Sequence, residues 1–583
     1  MKKKDELIKK FFLPSKKIIA DKAKLPEDTV REVEEKLKSS GMKIYKGLQR
    51  IDKGRLGIPI YLSLYDIEGQ NITGKYKQMG KGVTEKLSQA SALMELVERF
   101  SLFSFYHEVN KKGVFTTFEN LKEKAIPLEL LYSSVEDKEE KKVQELAKKY
   151  IFKTPFYFVP ALEVRTRDIK MIPFHWFWLL YEYNGSSAGN TYPEAGVQAI
   201  CELIERHVSA LSVKINSPMP AIRRDSIKGE AEEILHCFEK LNIKLWIRDM
   251  TFDMPVPTIA VMAMDPSTYP ERSEIVYTSG TATSPQRALI RALTEVAQLA
   301  GDFDTEGKYL ESGLPKFATL EEAKIVTEFT YEVNLEELPS IYSDDHVEEL
   351  ETLAKELKNK GYEIYFIDIT HEKLNLPAIY AIIPGMHFRE RLQISLLYQL
   401  IRTISLYLPP QEKLKLIEEI TNEIEDKYYL WAYLGNVYKE LEKLTEAIMC
   451  YEKALLFYPP EPDQIAIYTH IADAYIKKGE YDNVIKVVLK ALEIGEVAEL
   501  YNLLGRAFYK KGNYKQAMEA FLRATELNPA SAIDYANIGY CLKAMNFIPP
   551  AEIFFRKALT LDPNLTMAKR GLEYCRNILN TQN

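Results

Sequence analysis

Residues 80–101 read GKGVTEKLSQASALMELVERFS, and residues 184–208 read NGSSAGNTYPEAGVQAICELIERHV. In each, small residues lead into a helical pattern whose polar positions are mostly acidic. At about 100° per residue, Ser91, Glu95, Glu98 and Arg99 share one side of the first helix. Glu194, Gln198, Glu202 and Glu205 lie within roughly 80° of one another on the second, with Arg206 at the border. A third segment, RALTEVAQ at 291–298, sets Arg291, Glu295 and Gln298 in one narrow arc. The remaining positions are mostly apolar: Ala92, Leu93, Leu96 and Val97; Ala195, Ala199, Ile200 and Leu203; Ala292, Leu293 and Val296. Such helices are expected to be largely buried, so their acidic faces cannot simply point at bulk water.

Buried carboxylates facing one another repel and take up protons unless cations sit among them. Divalent metal answers this, and oxygen-only ligands favour magnesium over zinc. Magnesium combines a few carboxylates with phosphate oxygens, which points to a nucleoside triphosphate. The loops around Gly80-Lys81-Gly82 and Asn184–Thr191 fit, because free N–H groups at a helix start receive anions. Arg99, Arg206 and Arg291 can contact phosphates. One such helix alone is compatible with an exposed face carrying local salt bridges; three together favour a shared site. No G-x-x-x-x-G-K-[ST] loop occurs, so a Walker-type NTPase is not indicated.

The chain has 583 residues, enough for several domains, with 46% hydrophobic and 28% charged residues, as in globular protein. Its 77 basic and 84 acidic side chains give −7, which argues against a general nucleic-acid binder and leaves local basic patches open. Five cysteines without a C-x-x-C pair offer neither a disulfide framework nor an iron–sulfur triplet. Neither a signal-peptide core nor a run of 18 uncharged apolar residues is present, so the expected location is cytoplasmic, away from membranes.

The C-terminal part has a different grammar. Trp431-Ala432-Tyr433-Leu434-Gly435-Asn436-Val437-Tyr438 opens a tetratricopeptide pattern continued by Ala447, Tyr451, Ala454 and Pro459. The pattern recurs at a spacing of 34 in Tyr501/Tyr535, Gly505/Gly539, Ala517/Ala551, Phe521/Phe555, Ala524/Ala558 and Pro529/Pro563. A weaker copy carries Tyr468, Tyr475 and Ala491, with Val484 where alanine is usual. Four repeats and a last helix from about Thr566 make a short all-α solenoid over 411–583, set off by Leu408-Pro409-Pro410. Its charge is polarised: 10 basic against 18 acidic residues over 411–500, and 11 against 6 over 501–583. Residues 1–410 alternate helical patterns with β-runs such as Val256–Val261, so the chain as a whole reads as α+β followed by repeats. Cys201 and His207 read as packing groups within the second helix, and 136–142 as a solvated helix face.

The three acidic segments, with Ile383–Met386 (IPGM), resemble the YcaO family of ATP-dependent enzymes over about 40–390. The resemblance implies ATP and Mg2+ as cofactors and activation of a backbone amide in a peptide, giving azolines or thioamides. It implies that Lys81, Ser91, Glu98, Arg99, Ser187, Asn190, Glu194, Arg206, Arg291, Glu295 and Gln298 surround the nucleotide. It further implies a catalytic role for Glu95, Glu202 and Glu205, which lead the expected metal set, with Glu98 and Glu295 after them. Gln298-Leu299-Ala300 departs from the family habit in lacking a nearby arginine. The proline-rich tail of azoline-forming members has no counterpart here; repeats occupy that region. The chain is therefore similar to YcaO proteins that assist a RimO-type methylthiotransferase in β-methylthiolation of a ribosomal small-subunit protein. Thioamide formation on a protein glycine with a TfuA-type partner is the alternative, and a non-catalytic ATP-binding scaffold the third. A homodimer through the C-terminal domain is also implied.

Overall fold

The structure is a computed structural model that describes residues 2–303, 314–386 and 393–582. Packing separates two compact units, Met1–Gln399 and Leu400–Asn583.

The first unit is α+β, with three sheets. One runs Tyr45–Arg50, Ile60–Tyr65, Lys77–Lys81 in spatial order. The second runs Val114–Thr116, Phe156–Glu163, Tyr365–Asp368, Ala378–Ile382, Ser186–Ala188, with Ile169–Pro173 also paired to Phe156–Glu163. The third runs Val276–Thr281, Thr258–Met264, Lys244–Asp249, Ala221–Ile222, Glu332–Val333. Thr258–Met264 is buried at every position, as its unbroken apolar run requires.

Each sheet ends on a strand that leads directly into a long helix. These edge strands are β1 (Lys77–Lys81), β2 (Ser186–Ala188) and β3 (Val276–Thr281), and their helices are α1 (Glu85–His107), α2 (Tyr192–Ile215) and α3 (Pro285–Ala300). Thr84 and Thr191 cap α1 and α2 by accepting from Leu87 N and Glu194 N, at 3.3 and 3.2 Å. Gly80 and Lys81, expected in an anion-binding loop, are strand residues instead. The glycine serves packing: a Cβ on Gly80 would lie 2.1 Å from Ala92 N, and one on Gly280 would lie 2.5 Å from Ala292 N. Strands β1 and β3 thus rest directly on their helices.

The N-terminal residues strap this unit. Ser15 Oγ lies 2.6 Å from Thr191 Oγ1, and Lys17 N donates to Asp344 O at 2.8 Å. Lys17 and Glu349 form an ion pair with side chains only 4% and 1% exposed. Residues 136–140, expected in a helix, precede the helix Lys141–Lys153; Asp137 instead accepts from Glu139 N and Leu396 N.

In the second unit the helix Pro410–Glu423 precedes four antiparallel helix pairs and the last helix Thr566–Gln582. Gly435, Gly505 and Gly539 let an aromatic ring from the second helix of each pair lie against backbone. A Cβ would stand 2.5 Å from Tyr451 and 2.7 Å from Phe521 and Phe555. The weaker copy exchanges both partners, with Ala472 and Val488 in these places, both buried in one cluster. A larger residue on one helix is matched by a smaller one on the other.

Candidate active site

Helices α1, α2 and α3 converge on a cavity of about 830 Å3, toward the upper end of the roughly 300–1,000 Å3 of small-molecule pockets. Its wall contains Lys81, Ser91, Glu95, Glu98, Arg99, Ser187, Asn190, Glu194, Glu202, Glu205, Arg206, Arg291, Glu295 and Gln298. Every site position singled out in the sequence is therefore in one place.

Salt links tie the charges together. Arg99 is 2.9 Å from Glu95 and 3.0 Å from Glu98, and it donates to Ser186 Oγ at 3.1 Å. Ser186 Oγ in turn donates to Glu98 at 2.6 Å. Burial, with Glu95 and Glu202 nearby, raises the Glu98 carboxyl well above the ordinary value despite Arg99. Burial raises Glu202 as well, opposed by Arg206 and Arg99. Glu202 accepts from Gly185 N and Glu205 from Thr281 N, both at 3.1 Å, while Arg206 sits 3.6 and 3.5 Å from these carboxylates. Lys81 pairs with Glu295, and burial lowers its ammonium to about 8 against the pull of Glu205. Lys81 N donates to Ser91 Oγ at 3.4 Å.

The N-terminal strap supplies residues that sequence reasoning missed. Asp21 lies 2.6 Å from Arg291, whose other nitrogen donates to Thr281 O at 2.9 Å. Ala23 N donates to Glu194 at 3.1 Å, Lys22 is 3.7 Å from the same carboxylate, and Thr29 donates to Asn190 at 2.8 Å. Lys22, Lys24 and Arg287 add positive charge to the cavity wall, where the third motif has no arginine after Gln298. No local motif marks the strap, and only its folding back over α2 and α3 makes it part of the site.

An internal repeat was the signal that could have tied the three helices together. Counting from Thr84, Thr191 and Ser284, the residues before each helix, position +7 holds Ser91, Gln198 and Arg291. Position +11 holds Glu95, Glu202 and Glu295, and position +14 holds Glu98, Glu205 and Gln298. Three edge-strand-to-helix units thus point equivalent faces at one cavity.

The donor set suits phosphate and a hard divalent cation: carboxylate oxygens alternate with guanidinium and ammonium groups. Among the described residues, no group of three or more His, Cys, Asp and Glu side chains is placed to hold a metal alone. Arg99, Arg206 and Lys81 instead hold the site carboxylates in ion pairs. Burial pushes the Cys201 thiol up to about 12, and buried His207 lies 3.4 Å from the Tyr362 hydroxyl.

A family model described as YcaO cyclodehydratase, ATP- and Mg2+-binding, matches residues 79–387, more than half of the chain. The chain belongs to the YcaO family. ATP and Mg2+ are thus the cofactors of its family, and the cavity carries the side chains to receive them. Tetratricopeptide models match 428–460, 465–494 and 498–531. This YcaO protein is 24% identical over 386 residues to an uncharacterised protein of Methanothermobacter thermautotrophicus, covering 62% of this chain and 94% of that one. It is 25% identical over 339 residues to the Escherichia coli ribosomal protein S12 methylthiotransferase accessory factor YcaO, covering 53% and 56%. An uncharacterised protein in the tfuA 3′ region of Rhizobium leguminosarum bv. trifolii is 26% identical over 220 residues, covering 35% and 52%. The chain spans about half the length of these last two. Among solved structures, a heterocyclase in complex with substrate and cofactor aligns at TM-score 0.49 and 22% identity, covering 68% of this chain and 57% of that one. The Methanopyrus kandleri YcaO bound with AMPPCP and Mg2+ aligns at 0.45 and 20%, covering 64% and 93%. No helix among the described residues is long and apolar enough to cross a membrane.

Proposed function

We propose that this protein is an ATP- and Mg2+-dependent enzyme that activates a backbone amide of a peptide or protein. Its proposed role is as an accessory factor for β-methylthiolation of a ribosomal small-subunit protein, working in the cytoplasm with a RimO-type methylthiotransferase. The observation that carries the chemistry is the meeting of α1, α2 and α3, whose carboxylates and guanidiniums alternate around one cavity. The role is supported by the name of the Escherichia coli relative.

Bound ATP with Mg2+ would supply a phosphorus electrophile for the amide oxygen, releasing the rest of the nucleotide, so that a sulfur nucleophile from outside the chain, added at the amide carbon, could expel the oxygen together with the phosphorus group. The chain's own residues place and neutralise charge. Arg99, Arg206 and Arg291 hold phosphate oxygens, and Glu95, Glu202 and Glu205, with Glu98 and Glu295, hold metal. Ser187 and Asn190 orient the nucleotide beside Glu194. No protein nucleophile takes part, consistent with the buried, high-pKa Cys201. The tetratricopeptide unit serves homodimerisation and partner recruitment.

A second reading, thioamide formation on a protein glycine with a TfuA-type partner, is favoured by the relative named for the tfuA 3′ region. Two measurements decide. ATP consumption by purified protein with Mg2+ and partner should exceed that of Glu202→Ala; equality would leave a non-catalytic ATP-binding scaffold. Mass spectra of ribosomal proteins from a deletion strain should lack one methylthio group, and an unchanged spectrum rejects the accessory role.

A further inference from the structure

The edge strands of the cavity meet different groups. On β3 the outward N–H and C=O of Thr281 are taken by Glu205 and Arg291, at 3.1 and 2.9 Å. On β2, Ser186 N donates to Tyr183 O at 3.3 Å, and the strand is only three residues long.

Among the described residues, strand β1 pairs with Ile60–Tyr65 alone. Tyr65 N donates to Tyr76 O at 3.0 Å on that side, and Ile51 N donates to Ile60 O at 3.0 Å on the other side of the same strand. Antiparallel alternation then assigns Gln78 and Gly80 to bonds within the sheet and turns the N–H and C=O of Lys77, Met79 and Lys81 outward. Ser91 Oγ takes Lys81 N. Among the described residues, nothing pairs with the outward main chain of Lys77 and Met79, and both line the cavity. An open edge of this kind pairs readily with an extended chain.

We propose that the edge of β1 at Lys77 and Met79 binds the substrate as an added extended strand, main chain to main chain. This rests on the amide-activating function proposed above and names how its substrate is held. The occupant follows from continuity with the site. Two residues beyond Met79, about 7 Å along an extended chain, Lys81 meets Glu295 among the charged groups. A peptide paired at Lys77 and Met79 therefore continues toward these charged groups. Backbone pairing supplies affinity with little demand on sequence, and side chains on alternate positions add selectivity.

The test is residue-resolved hydrogen exchange of the full chain with Mg2+ and a non-hydrolysable ATP analogue. The probe is a pool of end-blocked decapeptides of random sequence at millimolar concentration, with the fully N-methylated pool as control. Amide exchange at Lys77 and Met79 should slow at least tenfold with the pool and stay unchanged with the N-methylated pool. Equal rates under both overturn the proposal, as does full protection by the ATP analogue alone, which would give the edge to the nucleotide. ATP consumption is read separately. Protection without ATP turnover in the presence of both peptide and partner would reject the enzymatic reading and keep the edge; turnover without protection would do the reverse.

Discussion

Asp21 reaches Arg291 at 2.6 Å, joining the N-terminal strap to the third site helix across 270 positions of sequence. Burial pushes the Asp21 carboxyl up, but Lys22 and Arg291 outweigh it and hold the group far below the usual carboxylate range. The carboxylate sits where an incoming phosphate would otherwise find a free guanidinium.

Asp21→Asn should therefore have opposite effects on the two states. Without nucleotide, Arg291 loses its counter-charge and stability falls by about 2 kcal/mol, below the 3–5 typical of a fully buried pair. With Mg2+–ATP the loss should be largely restored and nucleotide affinity raised severalfold. Thermal melts with and without nucleotide, together with titration calorimetry, check this. Weaker nucleotide binding would mean that Asp21 supports the ligand instead of competing with it.

Glu202→Gln keeps an acceptor for Gly185 N and removes the buried charge. Peptide-dependent ATP consumption should fall by about 100-fold or more, the scale lost when one electrostatic stabiliser of a transition state is removed. The melting temperature should hold or rise, because burial already disfavours the Glu202 carboxylate. A fall in activity of less than tenfold would take Glu202 out of the metal set.

Gly80→Ala puts a methyl 2.1 Å from the Ala92 backbone, where no side chain can yield. Strand β1 and helix α1 must separate, at about 2–3 kcal/mol. Chemical denaturation should show that loss, and nucleotide affinity should fall with it, since Lys81 and Ser91 sit on the two displaced elements. An unchanged midpoint would contradict the close packing of strand on helix.

In the repeats, Lys439 approaches His470 Nδ1 at 3.3 Å, and the Tyr451 ring stacks on the imidazole at 5.6 Å. Burial, helped by Lys439, lowers His470 from 6.5 to about 4. Between these values the unfolded chain binds the extra proton, so stability rises with pH. The contribution is complete above about pH 6.5 and is lost as pH falls toward 4. His470→Gln should flatten the pH dependence of melting in that window. An equally steep profile in the variant would assign the acid sensitivity to other groups.

Much of this molecule is legible in its sequence. The helical period brought the carboxylates of α1 and α2 to single faces, and the apolar remainder required those faces to be enclosed. The tetratricopeptide spacing was legible because each small residue answers one ring, as Gly505 answers Phe521 and Gly539 answers Phe555. Even the substituted copy obeys that rule through Ala472 and Val488. The correspondence among Thr84, Thr191 and Ser284 was present too, but unequal separations hid it from a search at fixed period. Gly80 misled, because a glycine required for close packing looks the same in sequence as one required for a loop.

By itself, then, the sequence determined the elements, the repeat architecture and the side chains turned toward the site, since all of these follow from local periodicity and residue size. Only the tertiary structure decided that one cavity serves all three helices, that Asp21 and Lys22 belong to it, and that β1 keeps an open edge at Lys77 and Met79 while Thr281 of β3 is paired with Glu205 and Arg291. Those facts depend on main-chain pairing and on contacts between residues hundreds of positions apart. Local pattern carries no information about them, because chain closure and the alternation of hydrogen bonds are properties of the assembled sheets.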